Sequence, residues 1–172
     1  MFDPTVYENV KVVLEGAAYE LDEGGRWYIG GREDLLDLAA MSRTFRLKLT
    51  RSVRLPLPEA KLTLSAGTED LAAEILELRD RRPGCGLGLA FICRVTDPVR
   101  ECKRAEEILR ELWGPGPAIA QTLSQLYGRE AEGYLNSIEI DFRRRFDEGV
   151  IQDMPGFLEH IAESLVRLAR LS

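Results

Sequence analysis

The chain has 172 residues, of which 45% are hydrophobic and 30% are charged, and its formal net charge at pH 7 is −6. Its length fits one domain spanning residues 1–172, and its apolar content excludes a disordered chain. No apolar run approaches the roughly 20 residues of a membrane-spanning helix, and the first residues do not form a signal-type stretch, so we expect a cytoplasmic protein.

The first quarter of the chain predicts two helices with a hairpin between them. Asp3-Pro4 is typical of a helix start, and the apolar spacing that follows favours a helix over 4–15, although its β-branched run would also suit a strand. Residues 17–22 and 26–30 flank a Glu-Gly-Gly turn and predict a hairpin. Residues 32–43 predict a short helix with its leucines turned inward.

Two strands with one charged face are predicted next. Apolar residues alternate with polar ones from Phe45 to Leu57 and again over 61–66, which is typical of paired strands with one buried face. The opposite face is cationic, and we predict that it binds an anion or a partner surface. Its cations are Arg46, Lys48, Arg54 and Lys61.

The middle of the chain predicts helices around one central strand. Thr68 is placed to cap a helix over 69–79. Residues 85–95 predict a strand with one face of mostly small residues, which would let another backbone or a helix approach closely. Helices are predicted over 98–113 and, after a Gly-Pro turn, over 117–127.

The last predicted elements are a strand over 134–146 and a helix that begins at Pro155. If this strand lies in the same sheet as residues 45–66, its outward arginines extend the cationic surface. These arginines are Arg143 and Arg145, and the acidic residues Glu139 and Asp141 share their face. The fold class that follows is α+β, with a mostly antiparallel sheet and helices packed largely on one face.

The residues that usually carry catalysis are scarce. The glycines from Gly84 to Gly88 run into a strand, whereas a phosphate-binding loop runs into a helix. Cys85 and Cys93 are about 27 Å apart if they lie on one strand, so they cannot share a metal ion. The single histidine, His160, lies beside the apolar stripe of the last helix. We therefore predict no catalytic residue, no metal and no cofactor. A non-enzyme is the preferred hypothesis, and enzyme activity is left open.

The charge is unevenly distributed, and this asymmetry suggests how the chain could associate. Residues 1–44 carry nine acids against four bases, whereas residues 45–67 carry five bases against one acid. Opposite charges of this kind could meet across a two-fold interface. The leading hypothesis is therefore a non-enzymatic, bacterial-type protein–protein interaction module that forms a homodimer.

Two alternatives remain open at this stage. The sheet arginines could bind a small anionic ligand in a sensor or an enzyme, because guanidinium groups suit carboxylates and phosphates. Residues 98–129 could instead form a helix-turn-helix-like segment whose second helix contacts bases through Gln121 and its neighbours. Acidic residues on the first helix would repel phosphates, so nucleic acid is the less favoured partner.

Overall fold

The computed structural model describes residues 4–77, 80 and 82–171. Over these residues it contains four α-helices, six β-strands and two short 3₁₀ helices, at Glu130–Glu132 and Glu148–Asp153. In chain order the main elements are α1 (Thr5–Glu23), β1 (Tyr28–Asp37), β2 (Ser42–Thr50), β3 (Glu59–Ala66), α2 (Thr68–Ile75), β4 (Gly86–Val95), α3 (Pro98–Trp113), β5 (Ala118–Ser124), β6 (Tyr134–Asp141) and α4 (Met154–Leu168).

The six strands form one sheet in the order β1-β2-β3-β4-β6-β5. Every neighbouring pair is antiparallel. β1 and β5 are the two edge strands, so the cationic stretch on β2 and β3 lies inside the sheet rather than at its rim.

One face of the sheet carries the core. α1, α3 and α4 pack on the face formed by Phe45, Leu62, Phe91 and Ile138, and all four of these side chains are buried. α2 follows β3 and contacts that strand. We call the packed face the inner face and the opposite one the outer face. The α+β prediction, with an antiparallel sheet and helices largely on one face, is confirmed.

α1 continues beyond the predicted helix over 4–15, and the hairpin predicted over 17–22 and 26–30 is wrong. Leu14 and Ala18 continue its buried stripe, so packing outweighs the cost of about 1 kcal/mol for the exposed Gly16 in a helix. The Gly-Gly pair ends the helix instead. Asp3, predicted to cap α1, lies outside the described residues, and Glu74 of α2 accepts a hydrogen bond from the Thr5 amide at 2.9 Å.

The helix predicted over 32–43 is wrong, because these residues form the β1–β2 hairpin. Their backbone groups pair in register with β2, and Glu33 lies opposite Arg46. The leucines that suggested a helix are largely exposed, with Leu38 at 75%. Pairing between strands therefore outweighs the local helical pattern, as is common for short amphipathic segments.

The first of the two central strands is shorter than predicted. β2 ends at Thr50, and Val53 and Leu55 are 66% and 75% exposed in the loop that follows. Pro56 and Pro58 cannot donate hydrogen bonds to a neighbouring strand, which prevents this segment from continuing β2. The second predicted strand, over 61–66, is confirmed within β3.

The predicted helix over 117–127 is also wrong, so residues 98–129 do not form a helix-turn-helix. Residues 118–124 are the edge strand β5, which pairs with β6. Gln121, expected to face bases, points to the inner face, where its amide donates to the Cys102 carbonyl at 2.9 Å. Its side-chain carbonyl accepts a hydrogen bond from the buried Asn136 at 2.7 Å. This buried polar contact fixes β5 as a strand.

The remaining predicted elements are present with shifted ends. β4 and α3 lie where the sequence predicted them, and Asp97 caps α3 through the amide of Arg100. α4 begins at Met154. The helix predicted over 69–79 is α2, which ends at Ile75, and Leu78 and Arg79 of that prediction lie outside the described residues.

Candidate functional site

The outer face of the sheet brings three of the predicted site residues together. Arg46 and Lys48 on β2 and Lys61 on β3 alternate with buried leucines, so all three project from the outer face. Lys48 and Lys61 lie directly opposite each other in the β2–β3 register. Like charges in opposed positions destabilise a sheet. We call these three residues the basic side.

The contacts of the basic side leave part of its charge unmatched. Arg46 pairs with Glu33 of β1 at 3.1 Å, and Lys61 approaches Glu59 at 3.9 Å. Within the described part of the chain, Lys48 has no ion pair, and its aliphatic stem lies over Gly31. A Cβ at Gly31 would lie 3.3 Å from Lys48 Cδ, so this glycine makes room for the lysine.

Of the other predicted site residues, Arg145 also reaches the outer face, whereas Arg54 and Arg143 do not. Arg54 is in the loop after β2, and its amide donates to Ser52 Oγ at 3.2 Å. β6 ends at Asp141, and Arg143 takes a left-handed φ of 57°, so Arg143 does not continue the outer face as predicted. The chain returns to β4 through a bridge between Cys85 and Phe146, and Arg145 reaches the outer face beside Gly86. Arg145 forms an ion pair with Asp70 at the start of α2. That ion pair gives Arg145 a role within the fold.

An acidic side faces the basic side across the centre of the sheet. Glu139 and Asp141 on β6 are both exposed on the outer face. Two depressions of about 390 and 420 Å³ lie on this face. The first is lined by the basic side, the second by the acidic side, and both reach Lys61 and Thr63. Together they form a shallow trough across the sheet.

Small residues of β4 form the floor of the trough, and the reasons why they are small differ from one position to the next. A Cβ at Gly86 would lie 2.8 Å from Ser65 Oγ and 3.4 Å from Arg145 Nη1, so packing within the chain requires glycine there. At Gly88 the nearest described atom would be 3.8 Å away, and its φ is outside the left-handed range. Contacts among the described residues therefore do not explain Gly88, and glycine inside a strand often marks the close approach of another chain or ligand.

The acidic N-terminal segment is already engaged within the fold. Asp34 binds Lys11 at 2.8 Å and Arg43 at 3.0 Å, and Glu8 contacts the same two cations. Burial alone would raise the pKa of Asp34, but its hydrogen bonds and charge interactions with Lys11 and Arg43 outweigh burial and lower that pKa. These acids hold α1 on the β1–β2 hairpin, which weakens the idea that they meet the basic segment of a second chain.

Cys85 and Cys93 are buried, whereas His160 is exposed and its ring contacts Trp113, with 5.0 Å between the ring centroids. Burial raises the pKa of Cys85 and of Cys93 to about 12, so both stay thiols at neutral pH. His160 Nε2 lies 2.5 Å from the carbonyl oxygen of Leu112, near the end of α3. Among residues 4–77, 80 and 82–171, no group of three or more metal-binding side chains comes together. Over the same ranges, no helix has both the length and the apolar character needed to span a membrane.

Comparison of the chain with protein-family models, with curated proteins and with solved structures finds no match.

The sequence predicted the basic side, but it did not predict where the acidic side lies relative to it. The alternation along residues 134–141 placed Glu139 and Asp141 outward correctly, but the order of strands in the sheet was unknown. Since β6 lies next to β4 and not next to β2 or β3, the two charged sides face each other across the small floor. The alternation in the sequence shows that Glu139 and Asp141 face outward. Only the order of the strands shows that they lie on the same surface as the basic side.

Proposed function

We propose that the chain is a non-enzymatic protein–protein interaction module that forms a homodimer through the outer face of its sheet. The observation that carries this proposal is a six-stranded sheet face on which α1, α3 and α4 do not pack. Its centre is a shallow trough of small residues, with the basic side on one flank and the acidic side on the other. Complementary charges of this kind can steer and orient contact with another protein surface.

Gly88 supports an occupant outside the chain. A glycine in a strand interior costs roughly 0.5–1 kcal/mol relative to alanine. Contacts among the described residues do not offset that cost, because a side chain at position 88 would meet only ordinary van der Waals contacts. Close approach of a second protein to β4 would account for a small residue there.

The test is the mass of the protein in solution, measured by sedimentation velocity over a wide range of protein concentration. We expect the wild type to form a dimer and Ala90→Arg to shift it to the monomer, because a long cation would occupy the middle of the face. Ala131→Arg, at an exposed position between β5 and β6, is the matched control. Thermal melts of both variants check that the monomer still folds.

A wild type that sediments as a monomer at every protein and salt concentration would overturn the proposal. A dimer that withstands Ala90→Arg as well as Ala131→Arg would move the interface away from the outer face.

A second candidate function is the binding of a small anion, and the depression of about 390 Å³ beside Arg46, Lys48 and Lys61 supports it. A ligand that binds only the folded state raises the melting temperature. A thermal-shift panel of phosphorylated and carboxylated metabolites tests this candidate, and it loses its support if every compound leaves the melting temperature unchanged.

A further inference from the structure

We infer that the second copy is related to the first by a two-fold axis that runs along β4, so that Lys61 of each copy lies against Glu139 of the partner subunit. This inference rests on the proposed homodimer and specifies its geometry. The charged sides of the outer face carry it, because their positions in the sheet register fix which residues such an axis would bring together.

One row of the sheet shows the relation directly. Lys48 pairs with Lys61, Lys61 with Ala90, and Ala90 with Glu139 in the register of four successive strands. Lys61 and Glu139 are thus each one strand away from Ala90, on opposite sides. A two-fold axis along β4 exchanges these two positions between the copies. Each Lys61 then faces Glu139 of the partner subunit, and the contact occurs twice in the dimer.

The neighbouring row of outward-facing residues also has a base on one side of β4 and an acid on the other. Arg46 lies opposite Thr63, and Thr63 lies opposite Gly88. Asp141, on the far side of β4, lies opposite Ala118. The same axis brings Asp141 of the partner subunit over Thr63, where Arg46 can reach it. Both rows therefore place opposite charges together under a single symmetry operation.

The total charge of the outer face favours a second copy over an acidic partner. Five bases and five acids project from it, so the face is neutral as a whole and charged in parts. They are Arg46, Lys48, Lys61, Arg94 and Arg145, and Glu33, Asp37, Glu59, Glu139 and Asp141. An acidic partner would meet Glu139 and Asp141 with like charge. A self-complementary surface is what a two-fold interface requires.

The outer face is large enough for a modest interface. Its shortest strand has seven residues. An axis along β4 overlays five strands of each copy and leaves β1 outside, so with strands about 4.8 Å apart and a rise of about 3.4 Å per residue the overlapping area is roughly 600 Å² per copy. Two copies would bury about 1,200 Å², which is the lower end of the range for specific interfaces. We therefore expect a dimer that dissociates on dilution.

The tip of the β1–β2 hairpin is the competing surface, because Leu35, Leu36, Leu38 and Met41 are all more than 40% exposed there. Antiparallel pairing of β1 with its own copy would gather the acids of this strand, since it carries Glu33, Asp34 and Asp37 against one arginine. Like charges opposed in a sheet are destabilising. The outer face has the complementary charges that this edge lacks.

Reciprocal charge exchange tests the inference. Sedimentation velocity at low ionic strength compares wild type, Lys61→Glu, Glu139→Lys and the double variant over a dilution series. Each single exchange sets like charges together at both symmetric contacts, so the dissociation constant should rise by at least about tenfold. The double variant should return close to the wild-type value. Lys103→Glu, at an exposed lysine of α3 on the helical side, should leave the dimer unchanged.

The other possible results separate failure of the homodimer from failure of the proposed axis. A monomeric wild type overturns the homodimer itself. A wild-type dimer that Lys61→Glu and Glu139→Lys weaken no more than Lys103→Glu leaves the homodimer standing and overturns the axis. If both single variants weaken the dimer and the double variant does not recover, the two residues are not in contact. Loss of the dimer in Leu38→Lys alone would assign the interface to the hairpin tip.

Discussion

At position 88, a side chain larger than glycine would stabilise the single chain but would interfere with the proposed dimer. Threonine suits a half-buried strand better than glycine, and the β-propensity scale spans about 1 kcal/mol. The space around Gly88 would accept the larger side chain in a single chain. In the dimer, the same side chain would keep the two sheets apart.

We therefore predict that Gly88→Thr raises the stability of the monomer by about 1 kcal/mol while weakening the dimer. Urea unfolding at a protein concentration below the dissociation constant measures the first effect, and sedimentation measures the second. Gly16→Ala is the control, because Gly16 is exposed on α1 with open space around it. It should also raise stability, by about 1 kcal/mol, without changing the dimer. A Gly88→Thr chain that is more stable and dimerises normally would remove Gly88 as support for the interface.

At the scale of single residues, alternation was a reliable guide only where a strand continued. Arg46, Lys48 and Lys61 were placed together correctly because each lies within β2 or β3. Arg54 and Arg143 were misplaced because they lie beyond the strand ends, where the period of two no longer applies. The reason for a glycine at position 88 needed coordinates, since only they show which neighbouring atoms a side chain would meet.

At the scale of elements, α1 and the β1–β2 hairpin are held together by charge. Lys11, on α1, is 9% exposed, and it bridges to Asp34 of β1. Arg43 of β2 contacts the same carboxylate. This cluster also accounts for the strand at residues 28–37, since a helix there would remove Asp34 from the β2 register.

We predict that Asp34→Asn lowers the free energy of unfolding by about 1.5–3 kcal/mol at pH 7, the usual contribution of hydrogen bonds to charged groups. The pKa of Asp34 is lowered in the folded state, so its stabilising effect is present above the ordinary carboxyl range. That effect is lost as the pH falls through the lowered pKa. The difference between wild type and Asp34→Asn should therefore shrink at acidic pH.

Denaturant unfolding at neutral pH and at pH values below the ordinary aspartate pKa measures this difference. Glu20→Gln, at an exposed carboxyl on α1, should show no such pH-dependent loss. A gap between wild type and Asp34→Asn that stays constant into strong acid would mean that the Asp34 charge does not stabilise the fold.

Sequence patterns predicted the elements that carry a long buried stripe and failed for the short ones. β4, α3 and α4 each bury a continuous row of apolar residues, and all three were located correctly. Residues 32–43 and 117–127 lack such a row. Their structure is decided by pairing with β2 and β6, and local sequence contains no record of which strands will be neighbours.

At the scale of the whole molecule, the fold leaves one broad surface on which α1, α3 and α4 do not pack. The fold class could be predicted because alternating strands and amphipathic helices are local patterns. The trough could not, because it depends on β6 lying beside β4 with β5 at the edge. Its basic and acidic sides come from segments more than 70 residues apart in the chain. Self-complementarity is a property of that topology.

A cysteine placed on the proposed axis tests the dimer most directly. Ala90→Cys would put the two new thiols next to each other, and an inter-sheet disulfide is compatible with facing sheets. Burial raises the pKa of Cys85 and Cys93 to about 12 and also raises the pKa of the partly buried Cys102, and the wild type measures any cross-linking by these native thiols. Tyr127→Cys, at a fully exposed position, measures cross-linking by random collision.

Mild oxidation followed by non-reducing electrophoresis gives the readout. The dimer described here predicts rapid covalent dimer formation by Ala90→Cys, slow formation by Tyr127→Cys, and little in the wild type. Faster cross-linking of Tyr127→Cys than of Ala90→Cys would contradict the claim that two copies meet along β4.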